Sequence, residues 1–381
     1  MKIHINGTPR IDFITQEVNF NYDSVADTFS FSMPFKDEDI FKPLEYYSVD
    51  IWSDSNRKLL TGTILNHHFK SNSQSNEITI SGYSKTGILG DCPNIPEAIK
   101  ANEKTDDVTS GVVNVITDIF TKTGDSSNFG DTSLLELAKK LVAPFGINIL
   151  VDDIVKDKVN EMYEMCTTSP DESVSAYLGK LSTLKNIVLR SNPNGDLVFT
   201  QIDENKSSVA KFTAGVDPQI EMSLEVNGQA MFNKIHISGR VDLYSDDKAD
   251  AAKSGESEVI ENRLIKLTKR ETLKIQGTEV TMIKDVCKAA LADELKNIVV
   301  SITITGDKLE RSKDEKGNEI YLELKPGDLV DIKAPDIFIR QETKFMIRSI
   351  SIKENAKEKT QILKCVLPQT MTGTAPYLIF G

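Results

Sequence analysis

The chain has 381 residues, 39% hydrophobic and 27% charged, with 45 Lys and Arg against 57 Asp and Glu for a net charge of −12. This length exceeds one ordinary core, and the composition excludes a mainly disordered chain. The acidic balance argues, for the chain's average surface, against a general affinity for nucleic acid, which needs a basic face to neutralise phosphates. No stretch approaches the roughly 20 apolar residues that span a bilayer. The opening Met1-Lys2-Ile3-His4-Ile5-Asn6 has no apolar signal region and reads as a first strand. The expectation is a protein kept in the cytosol, or one that leaves without a signal peptide.

Over residues 1–83 strand follows strand. Phe29 and Phe31 alternate with polar residues, as do Tyr47, Val49 and Ile51, and Ile78 and Ile80. Period-two alternation with short polar breaks marks half-buried antiparallel strands, here a small barrel or sandwich. Helices follow Pro93. Val108, Val112, Val115, Ile116 and Ile119 lie on one helical face. A second helix is predicted from Ser133, with Glu136 completing a capping box and Pro144 and Gly146 ending it. A third opens with Ser169-Pro170-Asp171-Glu172, and its Val174, Leu178 and Leu181 face the core. A hairpin then turns at Asn192-Pro193-Asn194-Gly195-Asp196, where Asn-Gly supplies positive φ.

Strands return beyond Thr213, most clearly at residues 234–240. The polar, acidic residues 246–258 predict a mobile loop. A helix is expected over residues 280–296, then an alternating strand carrying Ile298, Val300, Ile302 and Ile304. The apolar tail Pro376-Tyr377-Leu378-Ile379-Phe380 docks on its own domain or on a partner. Val49-Asp50-Ile51 is echoed by Val330-Asp331-Ile332, each followed by two strands with a polar gap. The echo suggests two related β-domains flanking an α/β unit. The division expected is 1–92 for the first β-domain, 93–206 for the α/β domain and 207–245 for returning strands. Residues 246–262 are the acidic loop, and 263–381 the second β-domain with one long helix.

The sequence offers little chemistry. Cys92, Cys166, Cys287 and Cys365 lie far apart, without zinc-ligand spacing, and read as reduced and mostly buried. His67 and His68 are adjacent on a strand and point to opposite faces, so they cannot chelate together. His4 and His236 also sit in strands, as satisfied or half-exposed side chains. The pairs Asp152-Asp153 and Asp246-Asp247 carry no glycosidase signal, which needs carboxylates on both sides of a sugar. No phosphate-binding loop, nucleophile elbow or His-Glu-x-x-His helix is present. Cys92, with no histidine placed beside it, reads as a small buried residue at a strand-to-linker corner. No catalytic, metal or cofactor residue is assigned.

One stretch stands apart: Ser81-Gly82-Tyr83-Ser84-Lys85-Thr86-Gly87-Ile88-Leu89-Gly90-Asp91-Cys92. It resembles the segment closing the first β-domain in the baseplate hub proteins of Mu-like contractile-tailed phages. Pro144-Phe145-Gly146-Ile147, then Asn194-Gly195-Asp196-Leu197-Val198-Phe199, then Pro326-Gly327-Asp328-Leu329-Val330-Asp331-Ile332 resemble later parts of that family in the same order. The residues carrying the resemblance are Gly82, Ser84, Lys85, Thr86, Asp91, Cys92, Pro144, Gly146, Gly195, Gly327 and Asp331. Residues 246–258 and 308–318 depart from it by looking longer than the fold requires.

The resemblance extends to late-control D proteins and to the N-terminal part of type VI secretion spike proteins. It implies an α+β, β-rich multidomain hub with two tube-like β-barrel domains flanking a small α/β domain, and no enzyme. It implies a homotrimer that presents a pseudo-sixfold ring, joining the hexameric tail tube above to a trimeric membrane-piercing spike below. Other baseplate proteins would surround it, with DNA passing only as cargo. The expected place is the virion baseplate, after assembly in the host cytoplasm and without membrane anchoring. An acidic lumen would let phosphates slide without sticking. Alternatives are the hub of a related contractile injection or secretion device, a lytic tail component, or an adhesin.

Overall fold

The computed structural model describes residues 1–35, 42–73, 75–92, 128–167, 172–216, 218–239, 257–267, 269–276, 283–305, 310–313, 319–321, 324–376 and 379–380. The helix expected over 108–119, most of the acidic loop and the Ser169-Pro170-Asp171 opening lie outside these residues. No described helix is long and apolar enough to cross a membrane.

The first block comprises β1 (Lys2–Ile5), β2 (Thr8–Arg10), β3 (Thr15–Asn21), β4 (Thr28–Pro34), β5 (Ser48–Trp52), β6 (Lys58–Ser71) and β7 (Asn76–Ser84). Alternation in the sequence becomes alternation in burial. Phe29, Phe31 and Met33 of β4 point inward beside Ile3, Val49 and Ile80. A 3-10 turn (Lys85–Gly87) and the short α1 (Ile88–Asp91) then carry the chain away from the sheet.

The α/β unit holds β8 (Asn128–Ser133), α2 (Leu134–Val142), β9 (Ile149–Val151), α3 (Lys156–Asn160), β10 (Met162–Thr167), α4 (Val174–Leu184), β11 (Val188–Ser191) and β12 (Leu197–Thr200). Ser133 caps α2 as expected, its Oγ accepting from the Glu136 N–H (3.3 Å). The helix tightens into a 3-10 turn at Ala143–Phe145 and ends where Gly146 takes a φ of 59°. Two local expectations are corrected. The cap of α4 is Ser173, whose Oγ accepts from the Ala176 N–H (3.2 Å), so the helix starts after Glu172. At the hairpin only Gly195 adopts positive φ (80°). Asn192 Oδ1 instead accepts from the Asn194 and Asp196 N–H groups and folds residues 192–196 into a longer loop.

The chain returns through β13 (Ala210–Thr213), β14 (Ile220–Val226), β15 (Lys234–Gly239), β16 (Ser257–Glu261), β17 (Glu271–Gln276) and α5 (Ile283–Leu295). It closes with β18 (Ile298–Thr305), β19 (Glu310–Lys313), β20 (Glu319–Tyr321), β21 (Leu329–Ala334), β22 (Ile339–Asn355), β23 (Lys359–Val366) and α6 (Gln369–Thr372). A second core forms around Phe212, Val300, Ile302, Ile332, Phe345 and Leu363.

The expectation of two tube-like β-barrels is overturned. Both blocks belong to one open, 13-stranded sheet, ordered β14-β18-β23-β22-β3-β4-β7-β6-β5-β1-β2, with β13 and β21 branching from β22. The cause is the length of β22, 17 residues. One edge of β22 pairs first with β21 and then, over residues 349–355, with β3, while its other edge pairs with β23. Strand β3 therefore spends an edge on the other block instead of closing its own.

The two blocks share a plan. The order β3-β4-β7-β6-β5-β1 repeats as β14-β18-β23-β22-β21-β13, antiparallel throughout except that β13 runs parallel to β21. Bulges fall at matching places, between Ile64 and Asn66 in β6 and between Ile347 and Ser349 in β22. The echoed aspartates correspond too: Asp50 accepts from Thr61 Oγ1 (3.0 Å), and Asp331 from Ser208 Oγ (2.8 Å).

Candidate functional site

Among the described residues no three His, Cys, Asp or Glu side chains gather where they could hold a metal ion. His236 Nε2 lies 2.9 Å from Glu271 Oε2 across β15 and β17. His67 stacks on Phe69 within its own strand. Cys287 and Cys365 are buried, and burial pushes both thiols upward, Cys287 to about 11. Cys92 is half-buried at the end of α1, not fully buried as expected, and the Cys166 side chain lies outside the described residues. A cleft of about 630 Å³ runs between α4 and α5, past Gly179, Ile187 and Ala290. At its mouth Asp23 is held by Arg348 (2.9 Å) and Lys296 (3.7 Å). Both acids that line the cleft, Asp23 and Asp293, are ion-paired, and neither a histidine nor a cysteine lines it.

The residues singled out from sequence assemble instead into a junction. Ser84, fully buried, accepts from the Asp27 N–H (3.1 Å), and its own N–H donates to the Asp27 carbonyl (2.7 Å). Thr86 Oγ1 donates to the Val25 carbonyl (2.5 Å), so the β3–β4 loop is fastened to the end of β7. Lys85 points the other way, and its Nζ donates to the carbonyl of Gly146, at the end of the turn that holds Pro144 (2.6 Å). The Lys85 stem lies against Gly195, where a Cβ would come within 2.7 Å of the Lys85 Cβ. Tyr83 donates its hydroxyl to Asp91 (2.5 Å); burial and then that carboxylate push the phenol pKa up. The Cys92 carbonyl accepts from the Val174 N–H (3.1 Å), tying α1 to the start of α4.

The hairpin β11–β12 bridges both blocks. The Thr61 hydroxyl, whose one proton is shared between Asp50 and the Pro193 carbonyl, lies 2.9 Å from that carbonyl on the side of the first block. Arg190 Nη1 donates to the Pro326 carbonyl (3.1 Å) on the side of the second. Gly327, at a φ of 93°, packs against Tyr22, where a Cβ would lie 2.6 Å from the ring. Arg190 stands over that same ring, 5.4 Å from its centre. Gly82 and Asp331 lie outside the junction, Gly82 at the crossing of β6 and β7 and Asp331 on β21. Thr61, Tyr22, Asp27 and Arg190 were not singled out from sequence. Only Arg190 carried a signal, a lone charge within Val188-Leu189-Arg190-Ser191.

The Lys85 contact supports a modest prediction. Lys85→Met keeps the stem over Gly195 and removes one charged hydrogen bond at an exposed site, so it is expected to cost about 1 kcal/mol. Hydrogen exchange should quicken at residues 146–148 and 192–196 more than in β4; uniform quickening would place the contact outside the junction.

Residues 121–201 match the family described as baseplate hub protein gp44-like, second domain. No curated protein matches the chain. The fold is similar to that of the 43 kDa tail protein of prophage MuSo2 from Shewanella oneidensis (TM-score 0.71, 16% identity, 97% of this chain and 98% of that one). It is similar to that of a tail protein from Neisseria meningitidis MC58 (TM-score 0.70, 17% identity, 98% of each chain). The E. coli c3393 protein, a component of the type VI secretion system, shares it at TM-score 0.53 and 9% identity, over the whole of this chain and 80% of that one. The resemblance to the baseplate hub family is thus borne out over residues 121–201, and the fold of nearly the whole chain is similar to that of the two tail proteins.

Proposed function

We propose that this chain, which carries the second domain of the gp44-like baseplate hubs, works as a trimeric adaptor between the tail tube and the spike of a contractile tail. Its general role is that of a structural component of a tail or injection baseplate, not an enzyme. The observation that carries the adaptor reading is the internal duplication. Two β-blocks per chain let three chains offer six similar surfaces to a hexameric tube and three to a trimeric spike. The junction centred on Lys85, Arg190 and Gly327 supports this reading, because a load-bearing adaptor needs its blocks held at a fixed angle.

Native mass by light scattering tests it, on the purified chain alone and then with its candidate spike. Three chains per particle are expected in at least one condition. One chain per particle in both would overturn the adaptor and favour the adhesin or lytic readings. The likeness to the secretion-system component favours a second reading, the hub of a related injection device, which gene neighbourhood would separate from a phage tail. We further propose that the ring surrounds a channel for DNA with acidic walls, in keeping with the net charge of −12. A basic lumen in the assembled particle would remove that idea. The proposed division at residues 92, 206, 245 and 262 predicts that limited proteolysis cuts first within 246–262.

A further inference from the structure

Among the edges that the open sheet leaves without a partner in the described residues, two are complementary. Among the described residues, β14 pairs only with β18. Residues 66–71 of β6 pair only with β7, because the β5–β6 pairing ends at Ser48 opposite Thr63. Such edges are templates for another strand. The duplicated plan says which one. In β22 the residues matching 66–71 are 349–354, and there the corresponding edge is occupied by β3. The strand that matches β3 in the second block is β14, the very strand with the vacant edge.

We propose that β14 of one copy pairs antiparallel with residues 66–71 of the next copy, repeating between chains the β3–β22 joint found within each chain. This deepens the adaptor reading and rests on it. The register transfers residue by residue. Asn66, His68 and Phe69 match Ser349, Ser351 and Ile352 by their positions after the bulge. Val18 faces Phe29, which faces Gly82, just as Leu224 faces Val300, which faces Cys365. The internal pairs Ser351↔Asn19 and Ile352↔Val18 therefore become His68 opposite Glu225 and Phe69 opposite Leu224.

The chemistry of the two edges fits. Phe69 and Val226 are large apolar residues left 41% and 45% exposed in the single chain, and the joint covers both. His68 and Lys70 on one edge share a sheet face with Glu221 and Glu225 on the other, while His67 falls opposite Val226 on the other face. The internal joint carries the same kind of pair, Lys353 with Glu17 at 3.3 Å. Because the two edges differ, the contact is head-to-tail, which makes a ring when the rotation closes. Internal and external joints would then alternate around it.

Cross-linking tests the register. Residues directly opposite in an antiparallel pair have Cα atoms about 4.5–5.5 Å apart, within disulfide range. The full-length double variant His68→Cys, Glu225→Cys, mildly oxidised, is expected to give two- and three-chain species on non-reducing gels that revert to one chain on reduction. Either single variant should give neither. His68→Cys with Glu221→Cys should give neither as well, since the cysteines would sit four residues out of register, about 13 Å apart. Val226→Asp, exposed in the single chain, is expected to raise the concentration needed for assembly at least tenfold. A three-chain mass without these cross-links, and unmoved by Val226→Asp, would overturn the strand joint and leave the adaptor standing. A one-chain mass at every concentration, alone and with the spike, would overturn both.

Discussion

Gly82→Ala is expected to unfold the first block at temperatures where the parent chain is intact. Strands β6 and β7 cross so closely near the bulge that a Cβ on Gly82 would lie 1.9 Å from the Thr63 carbonyl oxygen and 2.8 Å from the Phe29 ring. The opposite approach is equally tight, with a Cβ on Gly62 falling 2.3 Å from the Tyr83 carbonyl oxygen. Neither obstacle can swing away. Thr63 is paired backbone, and Phe29 is buried and stacked on Phe31 (5.2 Å). Relief requires the strands to part, which costs ladder hydrogen bonds and core contacts together. Overpacking of this kind costs roughly 1–3 kcal/mol where side chains can adjust, and more where backbone blocks the way. We expect a loss of about 3 kcal/mol or more, read as a lowered denaturation midpoint. An alanine variant with an unchanged midpoint would show that the crossing is looser than described.

Asp27→Asn is expected to stabilise the protein at neutral and alkaline pH. Asp27 is 8% exposed, and one carboxylate oxygen accepts from the Asn21 N–H (2.9 Å). Burial pushes its pKa from the ordinary 3.8 to about 7, although that hydrogen bond and Arg190 pull it down. The folded chain therefore holds this proton more tightly than the unfolded chain. Below about pH 4 both states are protonated, and the group leaves stability unchanged. Between pH 4 and 7 the unfolded state ionises first, so stability falls as pH rises, and it levels off above pH 7. About three pKa units correspond to roughly 4 kcal/mol. Asparagine keeps the acceptor and carries no charge. The variant should match the parent near pH 4 and exceed it progressively up to pH 7.5. Parallel pH profiles for the two proteins would sink this account.

What the sequence disclosed depended on how far its contacts reach. The start of α2 was readable because Ser133 and Glu136 are three residues apart and the cap is made within one turn. The start of α4 was misplaced because Ser169 and Ser173 both precede helix-forming residues, and the choice between them is not encoded in propensity alone. Inward-facing positions of β4 and β18 followed directly from alternation. Closure did not. Whether β3 returns to its own block or crosses to the other is decided by a pairing with β22, more than 300 residues away, and both partners alternate equally well in either arrangement. The junction was half legible. Lys85 and Gly195 lay in recognisable motifs, whereas Tyr22 and Asp27 sit in a stretch with no pattern of its own and gain meaning only through the strands that enclose them.

The long β22 strand also sets a timetable for synthesis. Strand β3 leaves the ribosome more than 300 residues ahead of the partner for its outer edge, residues 349–355. Until those residues have been made, the first block must persist with that edge bare. A bare edge on a nascent chain invites pairing with neighbouring nascent chains. Such long-range closure is slow because its loop entropy is spent before any contact is gained. Truncations that stop before β22 should accordingly yield a first block that folds locally and aggregates through β3, so a soluble fragment of this protein would have to carry residues 339–355 with it.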